Sequence, residues 1–447
     1  MEQNALKQSR IGYHYFTDTL HYAEKDLQTW LPILKKMKAS WLVLQASENR
    51  SIPEFFIRGL IDEGVSPIIH FAVPLGGNLE KELFPLIYTY GKWGVSEVIF
   101  FDRPNLRSSW HSSAWAQADI VDAFANIYLP LANMAIDSGI RPGLSPLYPG
   151  GSYWDTTFLK SVLETFISRR QSSVINNLFL TSYAWYNHHS LDWGAGGPHK
   201  WINSKPYQTP QGEQDHRGFR IYEWYSSVVQ KVTGKNCPVV LLQAGIPCDP
   251  VQANLLNFRW DNHAELNMAI SRLLEGELVI NPEESGAYLQ PIKDDVMACC
   301  FYKLASDLKP GEMDFAWYHG TQANIPITSE YLNWTEINNH KNGRTGSSQV
   351  KTPSTENGRT ISHYLLLPVY EWGIADWQLD VIRPFVKKYQ PTIGFSLEEA
   401  SMADQVTVIG SRQSFNESDI NRLRDKGCKV VQITGDGTSI ATQMAQR

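Results

Sequence analysis

The stretch Ile99 to Trp110, IFFDRPNLRSSW, ends an apolar run in a polar turn that gathers Asp102, Arg103 and Asn105 ahead of Trp110. Polar groups close other apolar runs in the same way. His14 and Asp18 follow the first, Gln45 and Glu48 the second, and His70 the third. Tyr183, Trp185, Tyr186, Asn187, His188 and His189 end a later one, then come Gln243 and finally Tyr302, Lys303 and Asp307. Carboxyl groups so placed can give or take a proton. Two of Asp18, Glu48, Asp102 and Asp307, facing each other across a shared mouth, could activate a water held between them. Asp102 and Glu48 are the catalytic candidates. The histidines lack His-Glu-x-x-His or comparable spacing, so they read as hydrogen-bonding residues; no metal and no other cofactor is expected.

The remaining polar and aromatic residues suit binding. His14, Asp18, His70, Arg103, Asn105, Trp110, Tyr183, Trp185, Tyr186, His188 and Gln243 form a set of rings, amides and imidazoles able to meet sugar faces and hydroxyls. The chain has 15 Trp and 20 Tyr, more than core packing asks for. Trp193 and Trp201 are expected beside the same cleft.

These residues share one site only if the runs that carry them lie side by side. Eight such runs are legible: RIGYHYF, WLVLQAS, SPIIHFAV, SEVIFFD, IRPGLSPLY, LFLTSYAWY, PVVLLQAG and MACCFYKL. Amphipathic stretches such as LQTWLPILKKMKAS, PEFFIRGLIDEGV and ADIVDAFANIYLPLANMAIDSG separate them, which is the alternation of a parallel sheet. Eight units close a barrel, and its loops leave at the carboxyl ends of the strands, where the polar residues stand. No glycine-rich phosphate turn follows the first run, which removes the usual reason for an open nucleotide-binding sheet.

Residues 1–335 therefore read as an α/β fold of the (β/α)8 TIM-barrel type. A long Gly- and Pro-rich loop from Trp193 follows the sixth run. Residues 336–361 read as a flexible linker, because Asn338 to Thr360 holds one aliphatic residue, Val350, and has little to bury. Residues 362–447 read as a smaller, Rossmann-like α/β domain of about four strands, with Asn416 as a helix N-cap.

Composition narrows the function classes. A net charge of −6 without a basic run argues against nucleic acid and anionic membrane surfaces. No segment reaches the roughly 18 apolar residues of a membrane span. The five cysteines have no Cys-x-x-Cys spacing and read as reduced thiols. The opening residues, MEQNALKQSR, lack an apolar signal region, so the chain as given reads as cytoplasmic, or as extracellular if a signal was removed. Sequence leaves the oligomeric state open.

IFFDRPNLRSSW resembles the fourth-strand motif of clan A glycoside hydrolases, especially the xylosidase and exopolysaccharide-hydrolase relatives, where Trp-Asn-Glu-Pro-Asn-Leu soon reaches a Trp. PVVLLQAGIP resembles their seventh-strand Val-Thr-Glu-Phe-Gly-Trp-Pro, and CFYKLASD with DFAWYHG resembles the eighth-strand pattern and its hairpin; SYAWYNHH stands where a His-x-Tyr pair is common. The resemblance implies a sugar-binding barrel whose acid/base glutamate is replaced by Arg103 and whose nucleophilic glutamate by Gln243. Asp102 stands for the Asn, while Pro104 and Asn105 match. A guanidinium cannot exchange a proton near neutral pH and a carboxamide is a poor nucleophile, but both bind hydroxyls, and Arg suits an acidic sugar. The expectation is a pseudoenzyme partnered by an oligosaccharide or cell-wall polysaccharide, with an active hydrolase using relocated carboxylates, or a structural barrel, as alternatives. VTVIGSRQSFNESDINRLRDKGCKVVQITGDGTSIATQMAQR resembles one unit of the cell-wall-binding repeat of S-layer and autolysin proteins.

Overall fold

The β-branched and aromatic runs form β1 (Ile11–His14), β2 (Trp41–Gln45), β3 (Ser66–Phe71), β4 (Glu97–Phe100), β5 (Arg141–Gly143), β6 (Leu180–Tyr183), β7 (Val239–Ala244) and β8 (Val296–Phe301). In this computed structural model they pair in parallel in the order β5-β4-β3-β2-β1-β8-β7-β6. The ring closes between β5 and β6 through a parallel bridge of Gly143 with Phe179, with Leu144 N donating to Phe179 O at 2.9 Å. The structure describes residues 9–76, 79–111, 119–205, 207–251, 258–282, 286–307, 314–342, 361–368, 382, 385–386, 388–389, 391–410, 414–435 and 437–445.

Side chains alternate along each strand. Leu42, Leu44, Ile69, Phe71, Val98, Phe100 and Leu241 pack outward under the helices. Trp41, Val43, Ile68, Ile99, Val240, Leu242, Ala298 and Cys300 fill the barrel axis. The flanking strands approach β1 so closely at position 12 that it must be glycine: a Cβ there would lie 2.7 Å from Trp41 Cβ and 2.9 Å from both Trp41 O and Cys300 Sγ. The barrel is thus a packed core rather than a pore, as expected of eight strands.

The outer layer includes α1 (Glu24–Lys36), α2 (Glu54–Asp62), α3 (Glu80–Lys92), α4 (Ile120–Asp137), α5 (Asp155–Ser168), α6 (Ser172–Asn177), the short α7 (Gly197–Lys200), α8 (Ile221–Thr233) and α9 (Trp260–Leu274). The Asp119 side chain caps α4 by accepting from Asp122 N at 3.0 Å. The fifth run is far shorter than its pattern suggests. Pro142 and Pro146 cannot donate to a ladder, and beyond Gly143 the chain turns so that Pro146 O accepts from Arg103 N at 2.9 Å.

The chain divides into two compact units, Met1–His340 and Lys341–Arg447. Helix α10 (Pro326–Asn342) runs two residues past the end of the first unit and takes in the first residues of the stretch expected to be linker. It is anchored by the buried Tyr331, whose hydroxyl donates to Met37 O at 2.9 Å. The rest of that linker, 343–360, lies outside the described residues. The second unit carries β9 (Ile361–Leu366), β10 (Thr392–Gly394), β11 (Ala403–Ile409) and β12 (Lys429–Ile433), a parallel sheet in the order β10-β9-β11-β12. Asn416 caps the helix Glu417–Asp425 as its sequence predicts, with Oδ1 accepting from Asp419 N at 2.9 Å. Among the described residues no helix is long and apolar enough to cross a membrane.

Candidate functional site

The end of β4 is built on unusual backbone. Phe101 and Arg103 have φ of 64° and 50°, a region that costs a non-glycine residue about 1–2 kcal/mol. The turn directs the Arg103 side chain between two carboxylates. Its Nε donates to Asp102 Oδ2 at 2.8 Å and its Nη1 to Asp249 Oδ2 at 2.6 Å. Tyr183 OH donates to the other oxygen of Asp102. Burial alone would favour the neutral guanidine, but the charge of Asp102, joined by Asp249, outweighs it and raises the Arg103 pKa. One cation is therefore shared by two anions.

Gln243, at the end of β7, also has positive φ, 49°. Its Oε1 accepts from Trp185 Nε1 at 3.0 Å, and its backbone N–H donates to His14 Nε2 at 2.9 Å. That second bond requires an unprotonated Nε2, so His14 carries its proton on Nδ1. His70 Nε2 donates to Phe101 O at 3.0 Å. Burial pushes the His14 pKa down to about 3, assisted by His70, and burial lowers His70 as well, against the pull of Asp102. Both imidazoles are neutral at neutral pH. Tyr183 and Trp185 stack at 4.5 Å and 12°. A continuous chain of contacts thus runs from Arg103 through Asp102, Tyr183 and Trp185 to Gln243.

The space these groups enclose is small. A pocket of about 80 Å³ is lined by His14, Gln45, His70, Asp102, Gln243 and Tyr302, among others. That is room for a few waters and well short of the roughly 300–1,000 Å³ of small-molecule sites. Arg103 does not line it; its partner Asp102 does.

Other predicted residues lie elsewhere. Asn105 is fully buried and saturated: Nδ2 donates to Tyr148 O and Tyr153 O at 2.8 and 3.0 Å, and Oδ1 accepts from Tyr148 N at 2.9 Å. Trp110 is 5% exposed, belongs to the outer core, and donates from Nε1 to Pro104 O at 2.7 Å. Glu48 does not line the pocket. Asp18 accepts from His21 Nδ1 at 2.9 Å, and the other nitrogen of the same ring lies 2.6 Å from Asp307 Oδ2. These two carboxylates therefore bracket an imidazole rather than a water. Trp193 stacks on His189 at 4.0 Å and donates to Asp215 Oδ1 at 3.3 Å, and Trp201 donates to Ala195 O at 3.1 Å; both indoles tie down the long loop. Tyr186 and His188 line a separate groove of about 740 Å³ on the β6–β7 rim.

Asp249 is not among the residues expected from sequence, because it stands six residues beyond Gln243 in the loop after β7; its signal is the acidic residue of GIPCDP. Nor is the buried trio behind the long loop. There His216 Nε2 lies 2.8 Å from Asp155 Oδ2, and Tyr225 OH donates to the same oxygen at 2.5 Å. Among the described residues no group of three or more His, Cys, Asp or Glu is placed to hold a metal ion.

Closure of eight parallel strands makes this a (β/α)8-barrel protein. No protein-family model matches the sequence, and no curated protein does so. Among solved structures it is similar to a GH128 (subgroup I) endo-beta-1,3-glucanase of Amycolatopsis mediterranei in complex with laminarihexaose. That match has 13% identity, a TM-score of 0.37, and covers 73% of this chain and 99% of that one. It is similar also to beta-glucuronidase 2 of Bacteroides uniformis, with 8% identity, TM-score 0.45, and 81% of this chain and 38% of that one covered. A third is Saccharomyces cerevisiae GAS2P in complex with laminaritetraose and laminaripentaose, with 12% identity, TM-score 0.40, and 73% and 62% covered. The chain spans less than two thirds of the length of the last two.

Proposed function

We propose that the barrel is a glycosidase-like carbohydrate-binding protein that has lost hydrolysis, a pseudoenzyme. The observation that carries this reading is the Asp102–Arg103–Asp249 clamp. Where a retaining hydrolase needs a free carboxylic acid, this chain has an arginine, and the two nearest carboxylates are spent on holding it. Gln243, at the nucleophile's place, gives its carbonyl oxygen to Trp185. Neither group can transfer a proton or attack an anomeric carbon. The clamp also turns against an acidic ligand. Two carboxylates surround one guanidinium, so the cluster offers no free positive charge to a uronate, and a neutral polysaccharide fits better.

One observation favours a second reading, that of a structural barrel: the pocket on the axis, at about 80 Å³, is too small for a pyranose ring. One experiment separates the readings. The purified chain is incubated with neutral and uronate-containing polysaccharides while reducing ends and retention in affinity electrophoresis are measured. Retention of a neutral polysaccharide without new reducing ends is expected. Release of reducing ends, lost on Asp102→Asn or Asp249→Asn, would show an active hydrolase with relocated carboxylates. Neither retention nor release would leave the structural barrel.

A further inference from the structure

We infer that the saccharide lies not on the barrel axis but in the groove on the β6–β7 rim, and that it is a neutral glycan strand. This rests on the carbohydrate reading above. The groove, about 740 Å³, has the size of a ligand of several rings. Its floor is the turn after β6. Asn187 and His188 there have φ of 47° and 57°, and the turn is pinned to the β7 loop by Tyr186 N→Ile246 O at 3.1 Å and Asn187 N→Pro247 O at 2.8 Å. The result is a rigid platform carrying a half-buried Tyr186 ring, with His188 edge-on to it at 5.8 Å and 80°.

One wall is the face of α9 formed by Asn262, Leu266 and Ala269, positions spaced for one side of a helix. The other is a short ribbon in which Ile280 bridges Tyr288 antiparallel and Leu289 N donates to Val279 O at 2.8 Å. The lining therefore has two characters. Tyr186, Leu266, Ala269 and Val279 present apolar surface, while His188, Arg259, Asn262 and Glu265 stand exposed along the edge. The side chains of the latter four make no hydrogen bond or ion pair with another described residue. A flat ligand with an apolar face and a rim of hydroxyls matches that arrangement, and a pyranose is such a ligand. Arg259 and Glu265 balance in charge, so nothing in the groove selects an anion.

The test is calorimetric titration of the full chain with hexasaccharides: β-1,3-linked glucose, β-1,4-linked glucose and an oligogalacturonate. Binding of a neutral hexasaccharide is expected, weakened at least tenfold by Ala269→Trp, which fills the groove, and several-fold by Asn262→Ala. Asn262 is exposed, so its variant reads the groove even if the tryptophan disturbs α9, and melting curves of both variants check folding. Neutral binding unchanged by both substitutions would overturn the groove and leave the carbohydrate reading standing. Preference for the oligogalacturonate would overturn the neutral assignment. Binding of none of the three, or capture instead of an apolar peptide that Ala269→Trp blocks, would overturn the inference and the carbohydrate reading with it.

Discussion

The axis of the barrel and its β6–β7 rim are both lined with polar and aromatic residues, yet they differ in how those residues are used. On the axis the central candidates have partners inside the protein: Arg103 has two carboxylates, Gln243 has Trp185 and His14, and His70 has Phe101 O. The room left is about 80 Å³. On the rim, Arg259 just before α9 and Asn262 and Glu265 on it line about 740 Å³ of open groove. A polar residue at a strand end is therefore not in itself a binding residue. What matters is whether its hydrogen-bonding capacity has already been consumed by neighbours that the fold brings in from distant sequence.

The strongest way to break this contrast is to empty the clamp. Arg103→Met leaves Asp102 and the nearly buried Asp249 facing each other without their cation, and removing one partner of such a cluster costs about 3 kcal/mol, the low end of the usual range because Arg103 and Asp102 are part exposed. Urea unfolding should register the loss. Adding Asp249→Asn should restore more than half of it, since the repulsion goes with the charge. A loss below about 0.5 kcal/mol would mean that the clamp is a surface pair.

Next in size is the packed axis. Gly12→Ala places a Cβ against Trp41 and Cys300, and overpacking of this kind costs about 1–3 kcal/mol. Thermal unfolding measures it, and a neutral result would show that the axis yields.

The neutral imidazoles of the axis give a pH dependence. Their folded pKa values lie below the ordinary histidine value, His14 at about 3. Their contribution is therefore present above about pH 6.5, where the unfolded chain is also neutral, and is lost as pH falls toward the folded pKa. The melting temperature should drop between pH 7 and pH 4, and His14→Gln should flatten that drop. An unchanged slope would show that His14 is not buried neutral.

The smallest effect is expected on the rim. Ala269→Trp, although far larger in volume than Gly12→Ala, should change stability by no more than about 0.5 kcal/mol because the added ring enters open space. A loss like that of Gly12→Ala would erase the distinction between axis and rim.

Much of the barrel was legible. Continuous apolar runs separated by stretches of helical spacing marked the eight strands, because burial on both faces leaves a strong pattern. Asn416 announced its cap through local chemistry alone. The fifth strand was overread, since Pro142 and Pro146 removed the donors that its apolar pattern promised. Helix α10 was cut short because its contacts, such as Tyr331 with Met37, are formed with residues far away in sequence.

The site divides in the same way. The sequence by itself determined which residue types stand at the strand ends, through covalent identity and local periodicity, and the resemblance of its strand-end motifs implied arginine and glutamine at the places where hydrolysis requires glutamates. Only the tertiary structure decided that Asp249 meets Arg103 across 146 residues, that Asn105 and Trp110 are spent on internal bonds, and that the open space lies on the rim. Hydrogen-bond saturation and cavity volume are sums over neighbours in space, and no window along the chain contains those neighbours.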